Sequence, residues 1–279
     1  MTAPDLGRGI VFLGGGNMGR ALIAALLRAG ANPSRIRAIE SHPPTAQALV
    51  ADYGIETATD TSVVGSRIDT LVLAVKPQDM ARALQPLHAL LQRERPLVIS
   101  VAAGLSVQQL QHWCGTDVPV VRAMPNRPAL EGVGATGLFA PAWVATTLRE
   151  RAASILATAG IVVSVDDESL MDVVTAVSGS GPAYFFRFAE ALAAAGIAAG
   201  LSPAAATELA RATLHGAGRM AEPGADLAAL RESVTSKGGT TAAALASFSD
   251  QDLERVVAAA VTAAVRRGRE LSSQAAAGG

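Results

Sequence analysis

Two glycine-rich stretches of this chain have the composition and position of anion-binding loops. One is Gly14–Gly19 (GGGNMG), near the start of the chain, and the other lies within Val234–Leu245 (VTSKGGTTAAAL), near its end. Each is predicted to open a helix, and the free backbone N–H groups at a helix N-terminus bind phosphates and carboxylates. An early loop of this kind usually holds a dinucleotide, and a late one of different composition suggests a second anion. The pair predicts a dehydrogenase or reductase that acts on a small acid.

The first loop fits the dinucleotide-binding pattern G-x-G-x-x-G. It follows the apolar run Ile10–Leu13 and opens the amphipathic pattern Met18–Ala29, which is the strand–loop–helix context that the pattern requires. In that context Gly14 allows the tight turn, Gly16 lets the backbone approach a pyrophosphate, and Gly19 lets the helix pack closely on the strand. The alternative is a glycine-rich turn without a ligand.

An acidic residue, Glu40, ends the second predicted strand, Ile36–Glu40. A carboxylate in this place accepts hydrogen bonds from the 2′-hydroxyl of an adenosine ribose, which favours NADH, and it repels the 2′-phosphate of NADPH. Against this, Ser41 and His42 follow directly and have the side chains to hold a phosphate. Another interpretation of Glu40 is a solvated carboxylate at a strand end. The residues leave the choice between NADPH and NADH open.

Three further segments leave predicted strands at their carboxyl ends, where ligands bind in open α/β sheets. In the first, Val75–Pro77, the proline keeps Lys76 extended, and in the second, Ala103-Gly104, small side chains leave room for a cofactor. In the third, Met124–Ala129, two prolines stiffen the chain around Asn126, whose amide suits a nicotinamide ribose or a polar substrate atom. Close packing and an ordinary proline-rich turn are the alternatives. The residues assigned to the cofactor are Gly14, Gly16, Asn17, Met18, Gly19, Ser41, Val75, Lys76, Pro77, Ala103, Gly104 and Asn126.

The second glycine-rich loop suits a carboxylate. Gly238 and Gly239 expose backbone N–H groups beside the hydroxyls of Thr240 and Thr241. Neither a Ser/His/Asp order nor a Cys/His pair stands out, but hydride transfer needs neither because the cofactor carries that chemistry. The four histidines are scattered without metal-ligand spacing, so we predict no metal site.

The order of the predicted elements indicates two domains, residues 1–165 and 166–279. In the first, short β-branched runs alternate with helical patterns, which predicts a largely parallel sheet covered on both faces. The second is alanine-rich and helical, and Gly200–Pro203 (GLSP) predicts a helix stop and restart. The predicted strands are Ile10–Leu13, Ile36–Glu40, Thr70–Val75, Leu97–Val101, Val118–Ala123, Ala135–Phe139 and Ile161–Val165. The predicted helices include Met18–Ala29, Gln78–Leu91, one capped by Ser106 with Gln109, Glu168–Val177, Pro182–Ala199, Pro203–Met220, Asp226–Val234, Thr240–Ser247 and Asp250–Ser272.

Composition narrows the class of protein. Half of the residues are apolar and the net charge is −1 without a basic block, which argues for a large core and against nucleic-acid binding. The single cysteine, Cys114, excludes an intrachain disulfide and suits a reducing compartment. No signal-peptide pattern and no strongly apolar run of membrane-spanning length is present. We therefore expect a cytoplasmic protein that does not contact a membrane.

Taken together, these motifs resemble those of the pyrroline-5-carboxylate reductases. The match runs in order through GGGNMG, AVKP, SVAAG, RAMPN-PAL, SGSGPAY and VTS-GGTT, from Gly14 to about Leu245. The first motif is shared with many dehydrogenases, whereas SGSGPAY followed by TS-GGTT is much more specific to this family.

The resemblance implies a fold and a reaction. It implies an α/β fold with an N-terminal Rossmann-like, doubly wound, mostly parallel sheet and a C-terminal all-helical dimerisation domain that interlocks with a second subunit. It implies active sites at the dimer interface and, in many members, a ring of dimers. The implied reaction is the NADPH- or NADH-dependent reduction of Δ1-pyrroline-5-carboxylate to L-proline. Carried over to this chain, the resemblance implies that the substrate carboxylate and ring nitrogen are held by Ser236, Gly239, Thr240 and Thr241, with Thr241 nearest the nitrogen. The catalytic candidates are then Ser236 and Thr241. The substrate-binding set also includes Gly238.

Two departures and two rival interpretations accompany the resemblance. Lys237 stands where the family usually has proline, and Arg127 where threonine is common. One rival is a β-hydroxyacid dehydrogenase, which carries a catalytic lysine early in its second domain; Ser178–Phe188 contains no lysine. The other is a non-catalytic dinucleotide-binding regulator, which would not need the intact TS-GGTT loop.

Overall fold

An eight-stranded sheet forms the framework of the N-terminal part of the chain. The computed structural model describes residues 4–65, 68–222 and 224–277. The strands lie in the order β3-β2-β1-β4-β5-β6-β7-β8, and every neighbouring pair is parallel except β6 and β7. The predicted mostly parallel, doubly wound sheet is therefore confirmed. The strands are β1 (Ile10–Leu13), β2 (Ile36–Ile39), β3 (Glu56–Ala58), β4 (Thr70–Leu73), β5 (Leu97–Ser100), β6 (Val120–Met124), β7 (Gly134–Phe139) and β8 (Gly160–Val165).

The helices differ from the prediction mainly where proline or a left-handed residue interrupts them. The predicted helix Gln78–Leu91 is broken by a 3-10 turn at Gln85–Leu87, because Pro86 lacks a backbone N–H. The predicted helix Asp250–Ser272 starts afresh after Asp252, whose φ is +56°. The helices are α1 (Asn17–Arg28), α2 (Pro43–Tyr53), α3 (Met80–Leu84), α4 (His88–Glu94), α5 (Val107–Cys114), α6 (Thr146–Ala157), α7 (Met171–Val174), α8 (Gly181–Ala198), α9 (Pro203–Met220), α10 (Leu227–Ser233), α11 (Thr240–Asp250) and α12 (Leu253–Ala277).

The sheet is buried on both faces, which explains why its central strands are apolar without alternation. Along β1, Ile10 and Phe12 belong to the core on one face, and Val11 and Leu13 belong to the core on the other. Successive side chains of a strand point to opposite faces, so a strand covered on both sides must be apolar at every position. Because β1 pairs with β4 and β4 with β5 in parallel, the carboxyl ends of these strands lie at one edge of the sheet.

The chain divides into two compact units. One runs from the start of the chain to Gly179 and includes the chain from Ala264 onward; the other is Ser180–Ala263. The predicted domain boundary between residues 165 and 166 stays a prediction.

The second unit consists of helices and exposes large apolar side chains. Gly200, with φ +106°, ends the turn after α8, and the Ser202 hydroxyl accepts a hydrogen bond from the Ala205 N–H at the start of α9, as GLSP predicts. On α8, Phe185 is 64% exposed. The other exposed apolar side chains of this unit include Phe186, Phe188, Leu192, Leu209, Val256 and Val257. None of the described helices has the length and apolarity needed to span a membrane.

The thiol of Cys114, at the end of α5, is expected to be unreactive in the folded protein. Burial raises its pKa to about 12, and the thiolate is the form that reacts. The unfolded thiol ionises from about pH 8.5. The stability that the buried neutral thiol contributes is therefore complete below that pH and is lost as pH rises towards about 12. Labelling with a thiol reagent at pH 8, without and with urea, checks this; full labelling of the native protein would contradict it.

Candidate cofactor and substrate sites

The first glycine-rich loop joins β1 to α1, and on the side of the sheet it packs closely against the ends of the neighbouring strands. Gly14 has φ +102°, and its N–H donates to the Ile39 carbonyl at 2.9 Å. A Cβ at Gly14 would lie 2.8 Å from the Ala74 carbonyl oxygen, and a Cβ at Gly19 would overlap the Gly14 carbonyl oxygen. Both positions therefore require glycine, the first for its backbone conformation and the second for the close approach of helix to strand.

The other side of the loop is open. Gly16 is the N-cap of α1, is exposed, and would bring a Cβ near no other atom within 4 Å. The first described intrahelical bond runs from the Arg20 N–H to the Gly16 carbonyl, so the N–H groups of Asn17, Met18 and Gly19 have no intrahelical acceptor. The first turn also contains no acidic residue. A pyrophosphate fits this end of α1, because the backbone is accessible and the helix dipole favours an anion.

The Glu40 carboxylate, just after β2, lies against this loop. Its Oε2 accepts a hydrogen bond from the Gly15 N–H at 2.7 Å, and its Oε1 accepts one from the His42 N–H at 2.8 Å. Glu40 is half-buried, whereas Ser41 and His42 are exposed. The carboxylate therefore connects the glycine-rich loop to the turn before α2, and it is not a freely solvated strand-end group.

The loops after β4 and β5 share the edge of the sheet at which β1 ends. In the first, Lys76 is exposed and extended, with Val75 and Pro77 half-buried beside it. In the second, Ala103 is exposed, and a Cβ at Gly104, whose φ is +78°, would lie 3.4 Å from the Ser272 hydroxyl on α12. Because strand order reverses beside β1, this edge is the switch point at which open α/β sheets bind ligands.

Asn126 is more enclosed than its sequence context indicates. It is 8% exposed, its Nδ2 donates to the Ser178 carbonyl at 3.0 Å, and its Oδ1 accepts from the Ala135 N–H at 2.9 Å. The amide thus joins the loop after β6 to β7 and to the π-helical turn Thr175–Gly179. Its neighbour Arg127 is exposed.

Replacing Asn126 by alanine is expected to destabilise the protein. The substitution leaves the part-buried Ala135 N–H and Ser178 carbonyl without this partner, at a cost of about 1–3 kcal/mol each. We expect the free energy of unfolding, measured by urea titration, to fall by about 2 kcal/mol or more. Arg127→Ala, next to it on the surface, is the matched control and should change stability by less than about 0.5 kcal/mol. Equal stability of the two variants would refute the bridging role.

Sequence reasoning missed a charged pair near this region. Arg122 on β6, with its side chain 11% exposed, pairs with the Glu168 carboxylate at 2.8 Å. The same Glu168 oxygen accepts the Val107 N–H at the start of α5, at 2.7 Å. The arginine within an apolar strand indicates that a buried charge needs a partner. Its partner lies 46 residues further along the chain, so it can be identified only once the fold is known.

The second glycine-rich loop connects α10 to α11 in the other compact unit. Gly238 has φ +70°, and Gly239 is the N-cap of α11 with no side-chain cap. A Cβ at Gly239 would overlap the Ser236 hydroxyl, so glycine at this position lets that hydroxyl lie beside the helix start. The structure thus brings Ser236 and Gly238–Thr241 together around one helix N-terminus.

The start of α11 is chemically suited to an anion. The first described intrahelical bond into Gly239 comes from the Ala243 N–H, so the N–H groups of Thr240 and Thr241 have no intrahelical acceptor. No acidic residue lies in the first turn, and Lys237 is exposed next to it. Free N–H groups, two threonine hydroxyls and a nearby cation can hold a carboxylate. Among the described residues, no cluster of His, Cys, Asp and Glu is arranged to hold a metal ion.

Comparison with known proteins finds relatives along nearly the whole chain. It is 41% identical over 266 residues to the pyrroline-5-carboxylate reductase of Pseudomonas aeruginosa, covering 95% of this chain and 97% of that protein. It is 40% identical to that of Vibrio alginolyticus, covering 94% and 97%. The solved pyrroline-5-carboxylate reductase of Coxiella burnetii superposes with a TM-score of 0.90 at 37% identity, covering 95% and 98%. The Plasmodium falciparum pyrroline carboxylate reductase, solved with NADP bound, gives a TM-score of 0.76 at 27% identity, covering 96% and 99%.

Two sequence-family models match the chain, one within the sheet and one within the mostly helical C-terminal part. The one described as "NADP oxidoreductase coenzyme F420-dependent" matches residues 9–104, and the one described as "Pyrroline-5-carboxylate reductase dimerisation" matches residues 168–271. With the Rossmann-type sheet and its glycine-rich loop, they define the chain as a dinucleotide-dependent oxidoreductase. Its identity to relatives over almost its full length is decisive for the family. The chain belongs to the pyrroline-5-carboxylate reductase family.

Proposed function

We propose that this protein reduces Δ1-pyrroline-5-carboxylate to L-proline with NADPH or NADH, as the last step of proline biosynthesis. Family membership supports this reaction, and one structural observation carries it to particular residues: the uncapped start of α11, where Ser236, Gly239, Thr240 and Thr241 cluster. The open face of Gly16 fits the pyrophosphate of the cofactor. Gly14, Asn17, Met18, Gly19, Ser41, Val75–Pro77, Ala103, Gly104 and Asn126 complete the proposed cofactor set.

Hydride transfer to a cyclic imine requires groups that hold the substrate and orient its ring, and the start of α11 can supply them. When bound, the reduced nicotinamide supplies a hydride to the imine carbon, and this carbon accepts it best when the ring nitrogen is protonated. We propose that the N–H groups of Thr240 and Thr241 hold the substrate carboxylate, with Gly239 keeping the helix start open beside them. We propose that the hydroxyls of Ser236 and Thr241 orient the ring nitrogen. Because the ring is held in one orientation before the reaction, less entropy is lost on going to the transition state, and the barrier is lower.

Lys237 and Arg127 fit this proposal as substitutions that leave the reaction unchanged. Both side chains are exposed. Lys237 adds positive charge beside the proposed carboxylate site, where it favours an anion and takes no part in hydride transfer.

The direct test is a turnover assay. Purified protein is mixed with Δ1-pyrroline-5-carboxylate and with NADPH or NADH in separate reactions, and loss of cofactor absorbance is followed together with the appearance of proline. We expect stoichiometric proline formation. A folded protein that binds either cofactor but forms no proline would refute the reductase assignment and favour a different substrate or a regulator.

We propose that the working form is at least a homodimer and that a ring of dimers is its larger assembly. The match of residues 168–271 to a dimerisation model supports this, as do the exposed phenylalanines of α8 and the exposed valines of α12. Large apolar side chains exposed together in one unit are typical of a protein interface. Sedimentation equilibrium gives the assembly mass, and a monomer at micromolar concentration would exclude both assemblies.

We further propose that the two domains have different binding roles and that the protein is cytoplasmic. Residues 1–165 bind the cofactor and residues 166–279 bind the substrate and the partner subunit, consistent with where the two family models match. The partners are then the substrate, the product and a second copy of the chain, with no role for nucleic acid or membranes. The single buried thiol of Cys114 suits a cytoplasmic location.

A further inference from the structure

We propose that Glu40 makes this protein prefer NADH over NADPH. The inference rests on the proposed cofactor site and concerns the end that holds the adenosine ribose. A carboxylate at the end of β2 accepts the 2′-hydroxyl of NADH, whereas the 2′-phosphate of NADPH places a second anion against it. The question that decides the preference is whether Glu40 can move away, or whether a nearby cation can compensate.

Glu40 is held in place. Each carboxylate oxygen accepts one backbone N–H, from Gly15 at 2.7 Å and from His42 at 2.8 Å. The Gly15 donor belongs to the loop that the cofactor must contact, so the carboxylate is fixed beside the bound dinucleotide. Swinging away would leave both N–H groups without these acceptors, and hydrogen bonds to a charged group are among the strong ones. Each oxygen still has a lone pair with which to accept a hydroxyl hydrogen.

The turn that follows offers little to a phosphate. Residues 41–47 (SHPPTAQ) contain neither arginine nor lysine. Pro43 and Pro44 occupy the first two positions of α2, so that helix lacks two of the N–H donors with which a helix start binds anions. His42 is exposed, and its Nδ1 is paired with the Thr45 hydroxyl at 2.9 Å, which leaves its Nε2 as the remaining polar atom of the ring.

Two arginines of the adjoining elements are engaged elsewhere, and a third, Arg28, lies in the last turn of α1, at the end away from the glycine-rich loop. On α1, Arg20 pairs with Asp52 at 2.5 Å and lies over the Tyr53 ring. On β2, Arg37 donates to the carbonyl oxygens of Val63 and Val64. Within the described parts of α1 and β2, a 2′-phosphate would therefore meet a fixed carboxylate without a free neighbouring guanidinium to offset it.

Cofactor binding tests the inference without the substrate. Dissociation constants for NADH and NADPH are measured on the wild-type protein, on Glu40→Gln, and on Glu150→Gln as a control that removes one exposed carboxylate from α6. We expect the wild type to bind NADH at least about tenfold more tightly, which corresponds to about 1.4 kcal/mol. The ratio of the two constants is the readout, because loosening of the loop in Glu40→Gln weakens both cofactors alike. This ratio should move towards NADPH by about tenfold in Glu40→Gln and stay unchanged in Glu150→Gln.

A second variant supplies the missing cation. Ser41→Arg is expected to tighten NADPH binding selectively, since a guanidinium after β2 is the usual partner of a 2′-phosphate. A wild type that binds NADPH as tightly as NADH, or a Glu40→Gln variant with an unchanged ratio, would overturn the inference while leaving the reductase function intact. Failure to bind either cofactor would instead refute the proposed cofactor site itself, and the inference with it.

Discussion

Replacing Thr241 by alanine is expected to lower kcat/KM for Δ1-pyrroline-5-carboxylate by about 100-fold or more. Thr241 lies in the first turn of α11, half-buried, where its hydroxyl is proposed to orient the ring nitrogen. Loss of one positioned hydrogen-bonding group in an active site costs about 2.7–4 kcal/mol of transition-state stabilisation. Alanine is the best helix former, so α11 should remain intact. Steady-state kinetics beside a thermal unfolding curve separate the two effects.

Two companion variants make this result interpretable. Thr241→Ser keeps the hydroxyl and should recover most of the lost activity. Ser249→Ala removes an exposed hydroxyl from the far end of the same helix and should leave the kinetics unchanged. If Thr241→Ala turned over substrate at the wild-type rate, Thr241 would not belong to the active site.

Replacing Gly19 by alanine is expected to destabilise the N-terminal unit and to weaken dinucleotide binding with it. The new methyl group would overlap the Gly14 carbonyl oxygen and lie 3.5 Å from the Ala74 Cβ. The helix would have to move away from β1, and such overpacking costs about 1–3 kcal/mol. Alanine's better helix propensity returns less than about 1 kcal/mol, so the net effect is a loss. Urea unfolding and a cofactor titration measure the two consequences.

Gly16→Ala is the control for that experiment, because it separates binding from folding. Gly16 has φ −67°, which alanine adopts readily, and nothing lies within 4 Å of the position of the added Cβ. We expect stability close to that of the wild type but dinucleotide binding weaker by about tenfold or more, since the methyl group would occupy the space proposed for the pyrophosphate. Wild-type affinity in Gly16→Ala would show that the open face of the loop is not the binding face.

The parts of the fold that could be predicted from the sequence are those set by local chemistry. The apolar runs of β1, β4 and β5, the Ser106–Gln109 capping box and the stop at Gly200 each follow from neighbouring residues, and the structure contains all of them. The three-residue strand β3 (Glu56–Ala58) was not predicted, because its exposed and half-buried residues carry no apolar signal. Its pairing with β2 depends on tertiary context.

In the candidate sites, too, features set by neighbouring residues can be predicted from the sequence, whereas contacts between distant residues cannot. The glycine positions of both loops were evident, since each glycine is required by a backbone conformation or a close approach that the motif itself defines. What Asn126 and Glu40 contact was not evident. The hydrogen-bond partners of the Asn126 amide lie 9 and 52 residues further along the chain. Glu40 was expected to meet a ribose or solvent, and its contact with Gly15 spans 25 residues. Such contacts depend on how the strands are ordered in the sheet.

The apolar surface of Ser180–Ala263 has a consequence for how this protein must be handled. Among the described side chains of this unit, only Ala206 and Ala210 are buried apolar ones, while its phenylalanines and most of its leucines are exposed. In the proposed homodimer, a second chain would supply most of the hydrophobic stabilisation that so small an interior lacks. Folding of this unit is then a bimolecular equilibrium, governed by mass action. The melting temperature should rise with protein concentration, and a dilute stock should lose structure that a concentrated one keeps.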